Sequence, residues 1–199
     1  FVSRAGRNGK RYPEARLLFM LALATLPLLM MIPFRRAYFG LWNNTTFVGV
    51  MFLLNGLILY ICERMLPGKK GLGRMDIPDA LIIGICQAVA VIPGLSRQAL
   101  TVTAANAEGF QKNQCIRFGF LLAIPALFGA SVLSLADAAV AGIESAFMTA
   151  YLLGAAAAFL TGFIAIYAFR RVVRRRGFGV LAYYSWVIGV LAIILALIF

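Results

Sequence analysis

Five apolar runs, each close to the length needed to cross a bilayer, constrain this chain more than any other feature. A membrane-spanning helix needs roughly 20 consecutive apolar residues. The runs Leu17 to Phe34, Thr45 to Cys62, Ile116 to Ala136, Ala146 to Phe169 and Val180 to Phe199 meet that need in turn. Pro27 and Pro33 predict a kink and an exit in the first run. Pro125 falls in the middle of the third, where neighbouring helices can satisfy the carbonyl it frees. The fourth carries Ala155-Ala156-Ala157-Ala158 and Gly162, small residues that allow close helix packing. Of 199 residues, 62% are apolar and 13% charged, and a water-soluble core of this size cannot hide that much apolar surface. The chain is therefore read as an all-α integral membrane protein, one membrane domain over residues 1–199.

The stretch between the second and third runs differs. Ala80 to Ile92 is apolar for only 13 residues, about 20 Å of helix against a hydrocarbon core of about 30 Å. It stops at Pro93-Gly94, the polar residues Ser96, Arg97 and Gln98 follow, and a second short arm runs from Ala99 to Ala107. Two half-length helices around a polar turn predict a re-entrant helix-loop-helix over about residues 80–107. The alternative is one long helix broken at Pro-Gly and crossing once.

Charge placement separates the two. The basic clusters are Arg4 to Arg16, Arg64 to Arg74, Lys112 with Arg117, and Arg170 to Arg176, the last read as a loop between spans four and five. If the hairpin returns to the side it entered, 16 of the 19 Lys and Arg lie on one side and only Arg35 and Arg36 on the other, with Arg97 at the tip. A crossing helix would scatter them, so the hairpin is preferred and the basic side is expected to be cytoplasmic. The C-terminus would then lie outside, as would the loop holding Asp137 and Glu144. A net charge of +12 invites a nucleic-acid reading, but these charges lie between apolar runs rather than on one continuous face. Cys62, Cys86 and Cys115 have no metal-ligand spacing and are read as packing residues rather than a redox pair.

Arg97 carries the chemistry. A guanidinium at membrane depth is costly unless water or an anion meets it. Pro93-Gly94 allows a tight turn, and the N-terminus of the following helix would aim its N–H groups at the same point. Ser96 and Thr101 add hydroxyls, and the planar fork of Arg97 matches phosphate oxygens. A structural ion pair is the competing explanation, but the seven carboxylates all fall near expected helix ends or loops.

From Gln87 to Pro125 the chain resembles the undecaprenyl pyrophosphate phosphatase family, the bacitracin-resistance type of membrane lipid phosphatase. The family's second signature is approximately G-x-x-Q, then P-G-x-S-R-S-G-x-T, then F-S-F-L-L-A-I-P. Here Gly84 and Gln87 precede Pro93-Gly94-Leu95-Ser96-Arg97-Gln98-Ala99-Leu100-Thr101, and Phe118-Gly119-Phe120-Leu121-Leu122-Ala123-Ile124-Pro125 follows. Gln98-Ala99 stands in place of Ser-Gly, and Tyr184-Ser185 where the family commonly has Tyr-Arg. The glutamate-rich first signature, ending in a histidine, has no counterpart, and the chain has no histidine. The resemblance implies that this hairpin and one further span belong upstream of Phe1, completing an inverted repeat of six spans and two hairpins.

The resemblance further implies hydrolysis of a polyprenyl diphosphate to the monophosphate, recycling the lipid carrier of cell-wall synthesis in a bacterial plasma membrane. Arg97 and Ser96 would be catalytic, with Arg97 clamping the diphosphate; Ser96 as a nucleophile lacks a base in this chain. Gly94, Leu95, Gln98, Thr101 and Gln87 would bind substrate, through the N–H groups after Gly94, the Thr101 hydroxyl and a Gln87 side chain facing the tip. A divalent cation, Mg²⁺ or Ca²⁺, is expected, held mainly by glutamates that this chain lacks, so the 199 residues alone should be inactive. Two other readings stay open: a lipid-phosphate or anion transporter, and an inactive lipid-binding relative.

Overall fold

A computed structural model describes residues 14–141 and 148–198. Among them all regular structure is helical: α1 (Glu14–Leu29), α2 (Arg35–Leu41), α3 (Thr45–Arg64), α4 (Ile77–Val89), α5 (Arg97–Ala107), α6 (Lys112–Ala141), α7 (Met148–Arg176) and α8 (Gly179–Ile198), with 3₁₀ turns at Ile32–Phe34 and Leu72–Arg74. Among the described residues five segments are long and apolar enough to cross a membrane: Ala15–Phe34, Thr45–Arg64, Lys112–Val140, Met148–Val173 and Gly179–Ile198. They coincide with the five expected spans. Arg4, Arg7, Lys10, Arg11, Glu144 and Phe199, used in the charge argument, lie outside the described residues.

One boundary departs from the sequence reading, and another falls where it was expected. The first span runs to Phe34 with its exit at Pro33. It leaves α-geometry after Leu29 and tightens into a 3₁₀ turn around Pro33, whose ring and missing N–H oppose a continuing helix. The stretch Arg170 to Arg176 is not a loop but the end of α7, and only Gly177 and Phe178 join it to α8. Arginine is a good helix former, and cations are favoured in a last turn by the helix dipole.

The two short helices form an antiparallel hairpin whose open end is stapled. Lys70, before α4, donates its N–H to the Gly109 carbonyl at 2.9 Å and accepts from the Gln111 N–H at 3.0 Å. Its ammonium bonds Asp79 in the first turn of α4 and lies over the Phe110 ring. The C-terminus of α5 is shaped for this. Gly109 takes φ +79, and the N–H groups of Gly109 and Phe110 return to Asn106 and Ala105, the glycine-capped pattern that satisfies last-turn carbonyls. At the other arm, Pro78 sits where no N–H is needed, and Asp79 accepts from the Asp76 N–H at 2.7 Å.

The hairpin is nested between α1, α3 and α6. Met20, Leu21 and Ala24 of α1, Ala80 and Ile83 of α4, Val102 and Ala105 of α5, and Phe118 and Leu122 of α6 share one buried cluster. Gly84 packs so tightly that a β-carbon there would come within 2.5 Å of the Ala24 carbonyl oxygen. All three cysteines are free thiols, and Cys62 and Cys115 are buried, as packing residues should be.

Polar contacts tie one end of the bundle together. Arg16 pairs with Asp76, Lys112 with Glu63, and the Phe178 N–H donates to Glu63 Oε2 at 2.6 Å. The starts of α1, α4, α6 and α8 and the ends of α3, α5 and α7 therefore lie together, and the described basic clusters fall at or near this end. At the opposite end Arg35 meets Asp137 at 2.7 Å.

Candidate functional site

The tip of the hairpin runs through residues 90–96 and reaches the middle of α3. Pro93 is buried, and Gly94 adopts φ +92 with its backbone against Val48 and Met51. Positive φ is readily available only to glycine. A β-carbon at Gly94 would lie 2.7 Å from Met51 Cβ, so this glycine serves the turn and its approach to α3. The Leu95 N–H turns back to the Ile92 carbonyl at 3.2 Å and is spent inside the turn.

Ser96 is the N-cap of α5: its Oγ accepts from the Ala99 N–H at 3.3 Å. That leaves the hydroxyl hydrogen available to donate. The Ser96 N–H is engaged too, by Asn55 Oδ1 at 2.9 Å. The next two amides, those of Arg97 and Gln98, have no partner among the described residues. They are the open donors of the α5 N-terminus, where helix geometry leaves N–H groups unpaired and the dipole favours negative charge.

Arg97 opens α5 and is half-buried. Its guanidinium makes no hydrogen bond or ion pair among the described residues. The described carboxylates Glu63, Asp76, Asp79, Glu108 and Asp137 all stand at or near helix ends, as expected, so the structural ion pair is absent there. An unpaired guanidinium beside two unpaired amides is an anion-binding arrangement.

The other expected binding residues sit behind the tip. The Thr101 hydroxyl donates to the Arg97 carbonyl at 2.9 Å, within its own helix, and the residue is 1% exposed. The expected phosphate donor is instead a buried back-bonding threonine, a common alternative for hydroxyls in helices. Gln98 lies along α6, where a β-carbon on Gly119 would come within 2.9 Å of its Nε2. Gln87 of α4 is 1% exposed, and neither atom of its amide finds a partner; Gln98 Nε2 is likewise buried and unpaired.

Asn55 escaped the sequence reading, and Ser185 entered it only as a departure from the family pattern, without a role. Asn55 of α3 and Ser185 of α8 are each 3% exposed, and Asn55 Nδ2 donates to Ser185 Oγ at 3.0 Å. An amide inside the apolar run Thr45 to Cys62 was the available signal, since polar groups at membrane depth mark sites by default. Among the described residues no three His, Cys, Asp or Glu side chains gather to hold a metal ion. Around Arg97 the tip presents a cationic guanidinium and open N–H donors with no described carboxylate, so these residues do not by themselves fit a cation.

A model of one protein family, described as bacitracin resistance protein BacA, matches residues 1–191. The chain belongs to this family. Its relatives there include the undecaprenyl-diphosphatase of Halothermothrix orenii, 36% identical over 168 residues, which cover 84% of this chain and 65% of the relative. That of Desulforapulum autotrophicum is 36% identical over 155 residues, 78% of this chain and 55% of the relative. That of Carboxydothermus hydrogenoformans is 31% identical over 189 residues, 92% and 71%. The chain thus spans less than two thirds of the length of the first two relatives. The tip built by Ser96 and Arg97 lies in the motif that carries the resemblance to this family.

Proposed function

We propose that the protein is a membrane phosphatase that hydrolyses undecaprenyl diphosphate, or a similar polyprenyl diphosphate, to the monophosphate, returning lipid carrier to cell-wall synthesis. The observation that carries this reading is the unpaired Arg97 guanidinium next to the unpaired N–H groups of Arg97 and Gln98, in a chain whose relatives are named undecaprenyl-diphosphatase.

Water attacks the terminal phosphorus, the anhydride P–O bond breaks, and polyprenyl monophosphate leaves with inorganic phosphate as the second product. Phosphoryl transfer asks the protein mainly for positioning and for stabilisation of charge on the equatorial oxygens. Arg97 supplies a bidentate clamp for those oxygens, and the Arg97 and Gln98 amides add two fixed donors. Ser96 donates its hydroxyl hydrogen while its lone pair keeps the helix capped. In this reading water is the nucleophile and Ser96 a hydrogen-bond donor, since its Oγ already caps α5 by accepting from the Ala99 N–H. Gln87 and Gln98 remain binding residues through their unpaired buried amides. A divalent cation, Mg²⁺ or Ca²⁺, would supply further charge neutralisation on the diphosphate, with ligands from outside the described tip.

In the membrane, the α4–α5 hairpin is read as re-entrant. The 13 residues of α4 are too short to cross, and the staple at Lys70 supports entry and return on one side. The basic end is cytoplasmic in this reading, as the positive-inside rule requires, and the host membrane is the bacterial plasma membrane.

The test is phosphate release from a polyprenyl diphosphate by the full-length gene product in detergent or vesicles. Release that is abolished by Arg97→Ala supports the assignment. No release, or release indifferent to Arg97, removes it.

A further inference from the structure

The hydrogen-bond chain Ser96–Asn55–Ser185 joins three separate helical elements and is not used by the mechanism above. We propose that Asn55 is a positioning residue for the tip, anchored at its other end by Ser185; this rests on the phosphatase reading of Arg97. An asparagine amide offers one acceptor oxygen and one donor NH₂. The Ser96 backbone is purely a donor, so only Oδ1 of Asn55 can meet it, at 2.9 Å. Ser185 Oγ accepts from the other end of the amide at 3.0 Å. The Ser96 N–H selects which way the amide faces, and the Ser185 hydroxyl, which can accept or donate, holds the other end of the amide in place. A flip would set NH₂ against N–H.

The position of Ser96 matters because it directly precedes Arg97. Fixing the Ser96 amide on α3 and the Ser96 hydroxyl on Ala99 pins this residue at both ends. The direction in which the Arg97 amide and side chain leave the turn is thereby set by α3 and α8, not by the hairpin alone. Asn55 also withdraws the Ser96 N–H from the anion, leaving the amides of Arg97 and Gln98 as the open pair.

Simple helix–helix adhesion is the competing explanation, since buried polar groups often join membrane helices. It does not account for the contact. α3 and α8 are already locked beside Asn55, where the Trp186 Nε1–H donates to the Leu53 carbonyl at 3.0 Å. A β-carbon on Gly56 would also come within 2.4 Å of the Trp186 ring. Adhesion requires only the Nδ2 contact, whereas Oδ1 is aimed at the tip backbone.

The experiment compares Asn55→Leu, Ser185→Ala and Ser185→Thr with wild type and Arg97→Ala in the full-length protein, recording kcat, KM and melting temperature. Asn55→Leu should lower kcat about 10- to 100-fold, as a misplaced catalytic group does, with KM changed less than about threefold. Ser185→Ala should lower kcat in the same sense but by less, and Ser185→Thr, which keeps the hydroxyl, should stay near wild type. The double variant Asn55→Leu/Ser185→Ala should be no slower than Asn55→Leu, because both changes break one chain. Wild-type kcat in Ser185→Ala, or in a folded Asn55→Leu, overturns the proposal while Arg97→Ala remains inactive. So does a loss that the thermal stability wholly explains, or full additivity in the double variant. If Asn55→Leu does not fold, the Ser185→Ala and Ser185→Thr pair decides. Phosphate release that is indifferent to Arg97→Ala instead removes the phosphatase reading itself.

Discussion

Gly94 lies so close to α3 that a β-carbon on it would sit 2.6 Å from the Val48 carbonyl oxygen. The same residue holds φ +92, so the turn depends on glycine both for its conformation and for its contact. Gly94→Ala should therefore move the tip as well as strain it. A non-glycine residue held at such a φ costs about 1–3 kcal/mol before any clash is added. The expected outcome is a lowered melting temperature together with a large loss of phosphate release. Unchanged values of both would mean that the turn lies elsewhere.

Arg97→Ala should abolish turnover while leaving thermal stability near wild type, because the guanidinium has no partner among the described residues to lose. Arg97→Lys should also fail, since a single ammonium cannot reproduce a bidentate fork. Phosphate-release assays with melting curves for each variant check both claims. Activity in Arg97→Lys close to wild type would reduce the clamp to a point charge.

The two hydroxyls near Arg97 should separate in their effects. Ser96→Ala removes both the α5 cap and a phosphate donor, and a cost on the order of 10- to 1000-fold in kcat is expected. Thr101→Val keeps the shape and removes only a hydroxyl spent on the Arg97 carbonyl, so it should stay within about tenfold of wild type, as for a hydrogen bond of about 1 kcal/mol. A Thr101→Val variant as impaired as Ser96→Ala would mean that Thr101 turns toward the substrate during the reaction.

Glu63 is expected to matter for stability rather than chemistry. Its Oε2 accepts from the Phe178 N–H at 2.6 Å and from Lys112 at 3.1 Å, joining α3, α6 and the turn before α8. Glu63→Ala should destabilise the fold by about 1.5–3 kcal/mol, the range for hydrogen bonds to charged groups. KM should be little altered at a temperature where the variant is folded. Thermal denaturation in a single detergent measures this, and an unchanged midpoint would show the contact to be dispensable.

Sidedness can be read with single cysteines in a cysteine-free background. Arg176→Cys, at the basic end, should be protected from a membrane-impermeant thiol reagent in intact cells. Asn43→Cys, in the exposed connection before α3, should be labelled. The reverse pattern would invert the topology and place the basic end outside.

The five spans and the short hairpin were legible in the sequence because bilayer thickness acts on contiguous residues. A run such as Thr45 to Cys62 either is long enough to cross or is not, and Ala80 to Ile92 is not. The motif around Ser96 and Arg97 was legible for the same reason: a turn, a cap and a helix start are neighbours in the chain. The end of α7 was misread because arginines after an apolar run suit a loop and a last helical turn equally well. What only the tertiary structure decided are relationships between distant residues. Asn55 and Ser96 are 41 positions apart, and Asn55 and Ser185 are 130 apart. Gly94 needed α3 beside it before its closeness could mean anything. Likewise, whether the Thr101 hydroxyl faced a phosphate or its own helix depended on how α5 was rotated against α6. Local composition fixes which segments enter the membrane, whereas the direction of a polar side chain within it is set by whichever helix supplies the partner.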